Sequence, residues 1–286
     1  MPSERDLRRR LRSIRNIRQV TQAMQTVAAS RMRRAQTAVT ASRPYEERLR
    51  TVLNDLGPYA DPEFEPLLAR RPVKRVLVVL VTSDRGLVGA MNTNLLRATL
   101  RFIQTKPAVS WLAVGRKGIA AVRRVRGSAV AEFQGLGDRP TSTETGVISR
   151  VLRDEFTSAN VDEVHLAFTR FVNTLRQVPT IRRILPLVPE EEDIDELPPL
   201  QYIFEPDPAT VLNAILPRLI DVTVYQSVLE SIASEQSARM VAMRNATENA
   251  GELIDELQLA SNKARQSKIT KEMLEIASGA EALAKG

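Results

Sequence analysis

The residues best placed to do chemistry form the loop 83–89 (SDRGLVG), which follows the apolar run 76–82. In an α/β fold, the loop after the first strand is where nucleotide phosphates often bind. A dinucleotide fingerprint needs three glycines at fixed spacing, and a P-loop needs Gly-Lys-Ser/Thr; this loop has neither. We therefore predict no bound cofactor and a tight strand-to-helix turn, in which Asp84 or Asn92 caps the helix that follows.

Other candidate catalytic and metal-binding groups are scarce. The chain has one histidine, His165, and no cysteine, so catalytic triads and histidine-rich or thiolate metal sites are not expected. Alternation on a strand predicts that His165 is a structural or surface residue. The acidic run 190–196 lacks the glycine and ligand spacing of a calcium loop, so we expect a solvated surface loop, no metal and no active site.

The arginines form the most distinctive set of charges. Residues 1–57 hold thirteen arginines, no lysine and five acidic residues, a net charge of +8; residues 58–207 carry +1 and residues 208–286 carry −2, which together give +7. Such a basic helix could neutralise nucleic-acid phosphates, form a solvated face, or pair Arg31, Arg33 and Arg34 with an acidic protein partner. Few nearby aromatic residues could stack on bases, and no base-reading motif is present.

These arginines lie on the first of two long heptad-patterned stretches, residues 3–56 and 208–284. At 1.5 Å per residue the two helices would be roughly 80 and 115 Å long, so we expect them to pack together as a rod. The seam predicted for the first comprises Leu7, Leu11, Ile14, Ile17, Val20, Met24, Val27, Met32, Ala35, Val39, Tyr45, Leu49, Val52 and Leu56. That for the second comprises Tyr225, Leu229, Ile232, Gln236, Met243, Ala246, Ala250, Leu253, Leu257, Ala260 and Ala264.

Local signals set the ends of these helices. Gly57-Pro58 is expected to end the first. Asp207-Pro208 is expected to begin the second, with aspartate as the N-cap. Pro217 predicts a kink, or a true start near Arg218, because proline removes a hydrogen bond inside a helix. Small residues of the second helix are predicted to pack closely against the first; they are Ser231, Ala233, Ser234, Ser237, Ala238 and Ala242.

The middle of the chain alternates between strand and helix patterns, which predicts a doubly wound, Rossmann-like α/β domain. A final hairpin is expected, with its turn at Val178-Pro179. The predicted domains are a coiled-coil helix at 1–57, the α/β domain at 58–207 and a second coiled-coil helix at 208–286. Strands are predicted at 76–82, 110–114, 129–133, 163–172 and 180–187, and helices at 91–104, 117–125 and 143–157. Because no run reaches the ~20 apolar residues of a membrane span, we expect a soluble, cytoplasmic-facing protein.

Four segments in order resemble the gamma subunit family of F-type ATP synthases. They are residues 21–32 (TQAMQTVAASRM), 83–89 (SDRGLVG), 233–243 (ASEQSARMVAM) and 262–266 (NKARQ). The resemblance implies an antiparallel coiled coil of the terminal helices beside a Rossmann-like domain. It also implies a non-catalytic rotor shaft that couples ion-driven rotation of the c-ring to ATP synthesis or hydrolysis. Val88 stands where many relatives have cysteine, and Ser261 where they often have tyrosine.

The same resemblance implies partners and contacts. The partners would be the alpha and beta subunits, the epsilon subunit and the c-ring, with no nucleic acid, in a complex on the cytoplasmic face of the membrane. The implied contacts to beta are Met24, Arg31, Arg33, Arg34, Arg85, Val88, Arg265 and Gln266, and those to the c-ring are Tyr202 and Glu205. Two other hypotheses come from the residues alone, namely a basic coiled-coil nucleic-acid-binding protein and a nucleotide-binding α/β enzyme.

Overall fold

The computed structural model describes residues 4–56, 65–187, 205 and 207–284. Contacts divide the chain into two units, one made of Met1–Val27 with Met240–Gly286 and the other of Ala28–Arg239. Tyr202, Gly57-Pro58 and the acidic run 190–196 lie outside the described residues. The division by contacts passes through both long helices, and the three sequence domains stay a prediction.

Ten helices and strands are present in the described ranges. In chain order they are α1 Glu4–Leu56, β1 Val76–Val81, α2 Met91–Ile103, β2 Val109–Val114, α3 Arg116–Arg124, β3 Ser128–Phe133, α4 Ser142–Thr157, β4 Glu163–Phe171, β5 Gln177–Leu185 and α5 Pro208–Ala284. This is the mixed α/β class with long terminal helices that the sequence predicts. Within the α/β domain, element types agree with prediction, and most bounds shift by one or two residues.

The sheet lies in the second unit and has the order β3-β2-β1-β4-β5. Strand β1 pairs in parallel with β2 and β4, and all six of its residues are buried. A central strand covered on both faces has no solvent side to make polar, which explains its continuous apolar run. Its core partners include Leu95 and Trp111. The carboxyl ends of β1, β2 and β3 therefore meet at one edge.

The hairpin is present, but the predicted turn at Val178-Pro179 is wrong. Strands β4 and β5 are antiparallel, and Pro179 lies within β5 opposite Thr169. The turn is set by Asn173, whose side-chain oxygen accepts hydrogen bonds from the backbone N–H groups of Leu175 and Arg176 at 2.9 and 2.8 Å. Proline is tolerated in β5 because an edge strand has one side without a ladder to break.

Helix α5 begins where the sequence predicts, and of the two alternatives predicted for Pro217 the late start is wrong. Asp207 accepts a hydrogen bond from the backbone N–H of Thr210 at 2.9 Å, as an N-cap does. The helix then continues through Pro217 to Ala284 without a late start at Arg218. Leu216 and Leu219 beside the proline are at most 1% exposed. Burial of these side chains offsets the roughly 3 kcal/mol that an internal proline costs.

In the second unit α1 and α5 are joined by buried polar side chains. Gln226 of α5 forms a hydrogen bond with Ser42, and Arg43 contacts Glu230 at 3.2 Å. Glu46 is 8% exposed and accepts a hydrogen bond from Arg182 of β5 at 2.8 Å. The first helix is thus tied to both the last helix and the sheet.

Three of the small serines on α5 do not pack in the way the sequence predicts. Ser231 accepts a hydrogen bond from the backbone N–H of Thr169, and Ser234 donates one to the carbonyl of the same residue at 3.0 Å. Ser237 donates to the carbonyl of Thr174 at 2.6 Å. These hydroxyls therefore form hydrogen bonds with β4 and the hairpin turn, because buried backbone N–H and C=O groups such as those of Thr169 need partners.

The first unit is an antiparallel helix pair. Arg15 donates to Gln258 at 3.2 Å, and Thr247 donates to Thr21 at 2.8 Å, so residue numbers rise along one helix as they fall along the other. Leu7, Leu11, Met243 and Ala250 are buried as predicted, and Ser261 is buried as well. Five predicted seam residues of this unit are exposed instead; they are Ile17, Val20, Val27, Leu253 and Ala260.

Candidate functional site

The loop 83–89 is held from within and from α2. Ser83 donates to the carbonyl of Arg85 at 2.7 Å, and Asn92 donates to the Ser83 hydroxyl at 2.7 Å. Leu87 and Gly89 adopt φ angles of 63° and 54°, in the left-handed region that tightens a turn. The prediction that Asp84 or Asn92 caps α2 is wrong. Its N-cap is Ala90, which makes no side-chain hydrogen bond.

The side chain of Asp84 instead contacts the segments that follow the neighbouring strands β2 and β3. Its two carboxylate oxygens accept hydrogen bonds from the backbone N–H groups of Arg116, at the start of α3, and Gly135, after β3, each at 2.9 Å. A helix N-terminus at this edge is where an α/β protein usually holds a phosphate. The chain places its own anion there. This arrangement argues against the nucleotide-binding enzyme.

Asp84 lines a crevice of about 250 Å³ at the carboxyl ends of β1, β2 and β3. Side chains from both long helices enter it. Arg31 of α1 lies 2.6 Å from Asp138 in the loop after β3, and Asp138 also accepts a hydrogen bond from Gln236 of α5 at 2.8 Å. One carboxylate thus joins α1, α5 and the sheet.

An ion pair on α5, between Arg239 and Glu235, connects this helix to the loop 83–89. Arg239 donates to Glu235 at 2.7 Å and to the carbonyl of Gly86 at 3.2 Å. Burial raises the pKa of Glu235, and the nearby carboxylates of Asp138 and Asp84 add to that rise, against the opposing effect of Arg239. The arrangement positions a loop and two helices. Over the described ranges, no group of three or more His, Cys, Asp or Glu residues could hold a metal.

The predicted contact residues fall into two groups. Arg31 and Arg85 line the same crevice. Their neighbours Arg33 and Arg34 are exposed, and neither guanidinium has a carboxylate partner among the described residues. In the first unit, Met24 is half-buried while Arg265 and Gln266 are exposed.

Two further contact predictions have distinct outcomes. Val88 is 3% exposed, so its side chain packs inside the domain and supports the loop. Glu205 is exposed, whereas Tyr202 lies outside the described residues. His165 is buried at 7% exposure, which confirms a structural placement rather than a surface one.

Sequence reasoning missed the crevice residues Asp138, Glu235 and Arg239. The spacing of Glu235 and Arg239 by four residues was a usable signal, since such pairs meet on one helix face. Nothing local marks Asp138, whose partners are distant in sequence. Along the described helices, no stretch is both long and apolar enough to cross a membrane.

A family model described as ATP synthase matches residues 3–283. The ATP synthase gamma chain of Dehalococcoides mccartyi (strain CBDB1) is 49% identical over 290 residues, covering 99% of this chain and all of the relative. The chain belongs to the ATP synthase gamma chain family. The ATP synthase gamma chain of Roseiflexus castenholzii is also 49% identical to this chain over 290 residues, covering 99% of each chain. Nothing in these comparisons supports the nucleic-acid-binding alternative.

Solved structures share the fold. A chain of the Euglena gracilis mitochondrial ATP synthase (OSCP/F1/c-ring) is similar with a TM-score of 0.71 and 21% identity, covering 98% of this chain and 94% of that one. A chain from the central stalk and c-ring of the Tetrahymena thermophila enzyme has a TM-score of 0.63 and 23% identity, covering 79% and 99% respectively. The long terminal helices and the five-stranded sheet therefore form a fold that is shared with chains of solved ATP synthases.

Proposed function

We propose that this chain is the central rotor shaft of a proton-translocating F-type ATP synthase. It couples ion-driven rotation of the c-ring to ATP synthesis or hydrolysis at the catalytic sites of alpha and beta, and it has no active site of its own. The observation that carries the proposal is the gamma chain relationship along the full length, at 49% identity. The antiparallel helix pair supports it, because paired helices resist bending and twisting better than one.

The proposed partners are the alpha and beta subunits around the helix pair, with the epsilon subunit and c-ring at the α/β domain. Peripheral association with the cytoplasmic face of a bacterial membrane would follow from binding the c-ring. The similar solved chains come from an OSCP/F1/c-ring assembly and a central stalk and c-ring assembly, which supports this set of partners.

Contacts to beta are proposed from exposure and charge. Arg33 and Arg34 are exposed cations without an internal carboxylate, which suits pairing with an acidic segment of beta. Arg31 donates one N–H to Asp138, and Arg85 lines the same crevice, so both are proposed as contacts at the crevice. Met24, Arg265 and Gln266 are proposed contacts in the first unit. Val88 lies in the second unit and is buried, so it is not proposed to contact beta. Its proposed role is to support the loop that carries Arg85.

The contact to the c-ring is proposed at the segment before α5. Glu205 is exposed, and Asp207 two residues later caps the helix. A contact at Glu205 would therefore act directly on the start of α5. Tyr202, which the family resemblance adds, completes this proposed surface.

Co-purification from native cells tests the function. A tagged chain should bring down alpha, beta, epsilon and c subunits with ATPase activity. A matched pair of variants tests the contacts, with Arg33→Glu and Arg34→Glu together expected to weaken recovery of beta. Arg124→Glu, on the exposed end of α3, is expected to leave recovery unchanged. Recovery of the tagged chain without alpha and beta would rule out the proposed function.

A further inference from the structure

Strand β3, residues Ser128–Phe133, forms one edge of the sheet. Apart from β2 and Gly115 directly after it, no described residue forms a backbone hydrogen bond with β3. The other edge strand, β5, contains Pro179 and is contacted by α1, where Glu46 accepts a hydrogen bond from Arg182 at 2.8 Å. The two edges therefore differ, and β3 is the more open one.

The backbone of Glu132 points away from β2. The carbonyl of Phe133 accepts a hydrogen bond from the N–H of Gly115 at 2.8 Å, so Phe133 faces β2, and the residue before it in the strand faces the other way. Open edges are commonly protected by proline or lysine. Strand β3 contains neither, and three of its six residues are exposed. Its outer N–H and C=O groups are thus a template for another strand.

The turn that leads into β3 has an arginine where a glycine is usual. Arg126 has a φ of 53°, in the left-handed region that glycine adopts without strain just past a helix end. The N–H of Arg126 donates to the carbonyl of Arg123 at 3.2 Å, and that of Gly127 donates to the carbonyl of Val122 at 3.0 Å. This is the hydrogen-bond pattern of a standard helix end, so the turn itself does not require the arginine side chain.

The charge of Arg126 has no use within the described part of the chain. Its guanidinium is exposed and has no carboxylate partner there, and the same is true of Arg124. Glu132 is already held by Arg123, which donates to its two oxygens at 3.1 and 2.6 Å. Arg123 and Arg124 in the last turn of α3 already match the helix dipole. Val125, between the two unpaired cations, is 48% exposed.

We propose that the open edge of β3 binds an extended acidic segment of another subunit. The segment adds a strand beside Glu132, and its carboxylates pair with Arg124 and Arg126. Backbone hydrogen bonds supply the affinity of such a pairing, and the guanidinium groups select carboxylates. The proposal rests on the proposed function, because the segment is sought within the assembled ATP synthase. It involves neither the crevice at Asp84 nor the contacts proposed for beta.

Hydrogen exchange of residues 128–133, measured by mass spectrometry, compares the isolated chain with the complex purified from native cells. The outward-facing amides should exchange about tenfold more slowly in the complex. Arg126→Gly should raise the Tm of the isolated chain by about 2 °C, because glycine relieves the left-handed backbone, yet it should abolish the protection in the complex. Arg126→Lys keeps the charge and should keep the protection. Arg101→Gln, at an exposed position on α2, is the control and should change neither measurement.

Three results would overturn this site. The first is equally fast exchange of β3 in the complex and in the isolated chain, and the second is slow exchange in the isolated chain, because its edge would then be covered already. The third is protection that Arg126→Gly leaves unchanged, since the segment would not then be recognised by its acidic groups. A complex that lacks alpha and beta would remove the proposed function as well, whereas a complete complex with unprotected β3 would remove this site alone.

Discussion

Nη1 of Arg31 lies 2.6 Å from Oδ2 of Asp138, which joins the first helix to the loop after β3. The other carboxylate oxygen of Asp138 accepts from Gln236 on the last helix at 2.8 Å. Arg31 and Asp138 are each about one-third exposed or more, so their attraction is screened by water. Gln236, at 1% exposure, is the partner that depends most on Asp138.

Asp138→Ala should lower the free energy of unfolding by about 1–3 kcal/mol, because the buried amide of Gln236 loses its acceptor. Urea unfolding of the purified chain measures the change. Asp154→Asn is the control, since Asp154 is exposed on α4 and should shift stability little. Equal stability of Asp138→Ala and the control would show that the three-element junction contributes nothing.

Asp84→Ala should loosen the strand ends without creating a nucleotide site elsewhere. The backbone N–H groups of Arg116 and Gly135 lose their shared acceptor, at a cost of about 1–3 kcal/mol. Hydrogen exchange at these two amides should accelerate, while exchange within β1 stays slow. Unchanged exchange at both amides would contradict the role assigned to Asp84.

Met24→Lys should impair coupling more than assembly. Met24 is half-buried on the helix pair, and a lysine there would bring a charge to a surface proposed to slide against beta. ATP hydrolysis by the assembled complex should persist while ATP-driven proton pumping falls. Gln22→Lys, at an exposed position on the same helix, should leave pumping unchanged. Pumping at the normal ratio in Met24→Lys would place Met24 away from the interface.

Acid should destabilise the fold through His165 and Glu163. Burial lowers the pKa of His165 below 6.5, so the unfolded chain binds the proton first, and stability falls as the pH drops below about 6.5. Burial opposes ionisation of Glu163, but hydrogen bonds from His165 and Lys106 lower its pKa below 4.5. Its contribution is present above that value and is lost as the pH falls through the folded pKa.

Urea unfolding from pH 8 to pH 5 in the wild type and in His165→Gln isolates the histidine. The wild type should lose more stability over this interval. Glu235, whose pKa is raised by burial, acts in the opposite direction in both proteins and cancels in the comparison. Identical pH dependence in the two proteins would remove His165 as the cause.

Local patterns were sufficient to predict most helices and strands of the fold. The apolar run of β1 and the capping signal at Asp207 each lie within a few consecutive residues. The structure contains both the predicted strand and the predicted N-cap. Contacts between residues that are distant in sequence could not be predicted from local patterns. Asp84 binds amides 32 and 51 positions away, and nothing near it in sequence indicates those partners.

The prediction of the residues at the seam of the helix pair failed for a related reason. Apolar spacing assigned Ile17, Val20 and Leu253 to it, yet the helices meet through Thr21 and Thr247 and pass Arg18 near Gly251. A pattern of apolar residues at helical spacing does not identify a close contact that is made by polar and small residues. The exposed side chains of Ile17, Val20 and Leu253 are therefore available to a partner.

Rotation of this chain within the assembled complex tests the rotor function most directly. The chain has no cysteine, so Lys117→Cys on the start of α3 would carry a single fluorescent or bead label on an exposed residue. With alpha and beta immobilised, ATP should drive unidirectional rotation of the label, and removal of ATP should stop it. Sustained ATP hydrolysis with a stationary label would contradict the proposal that this chain is the rotating shaft.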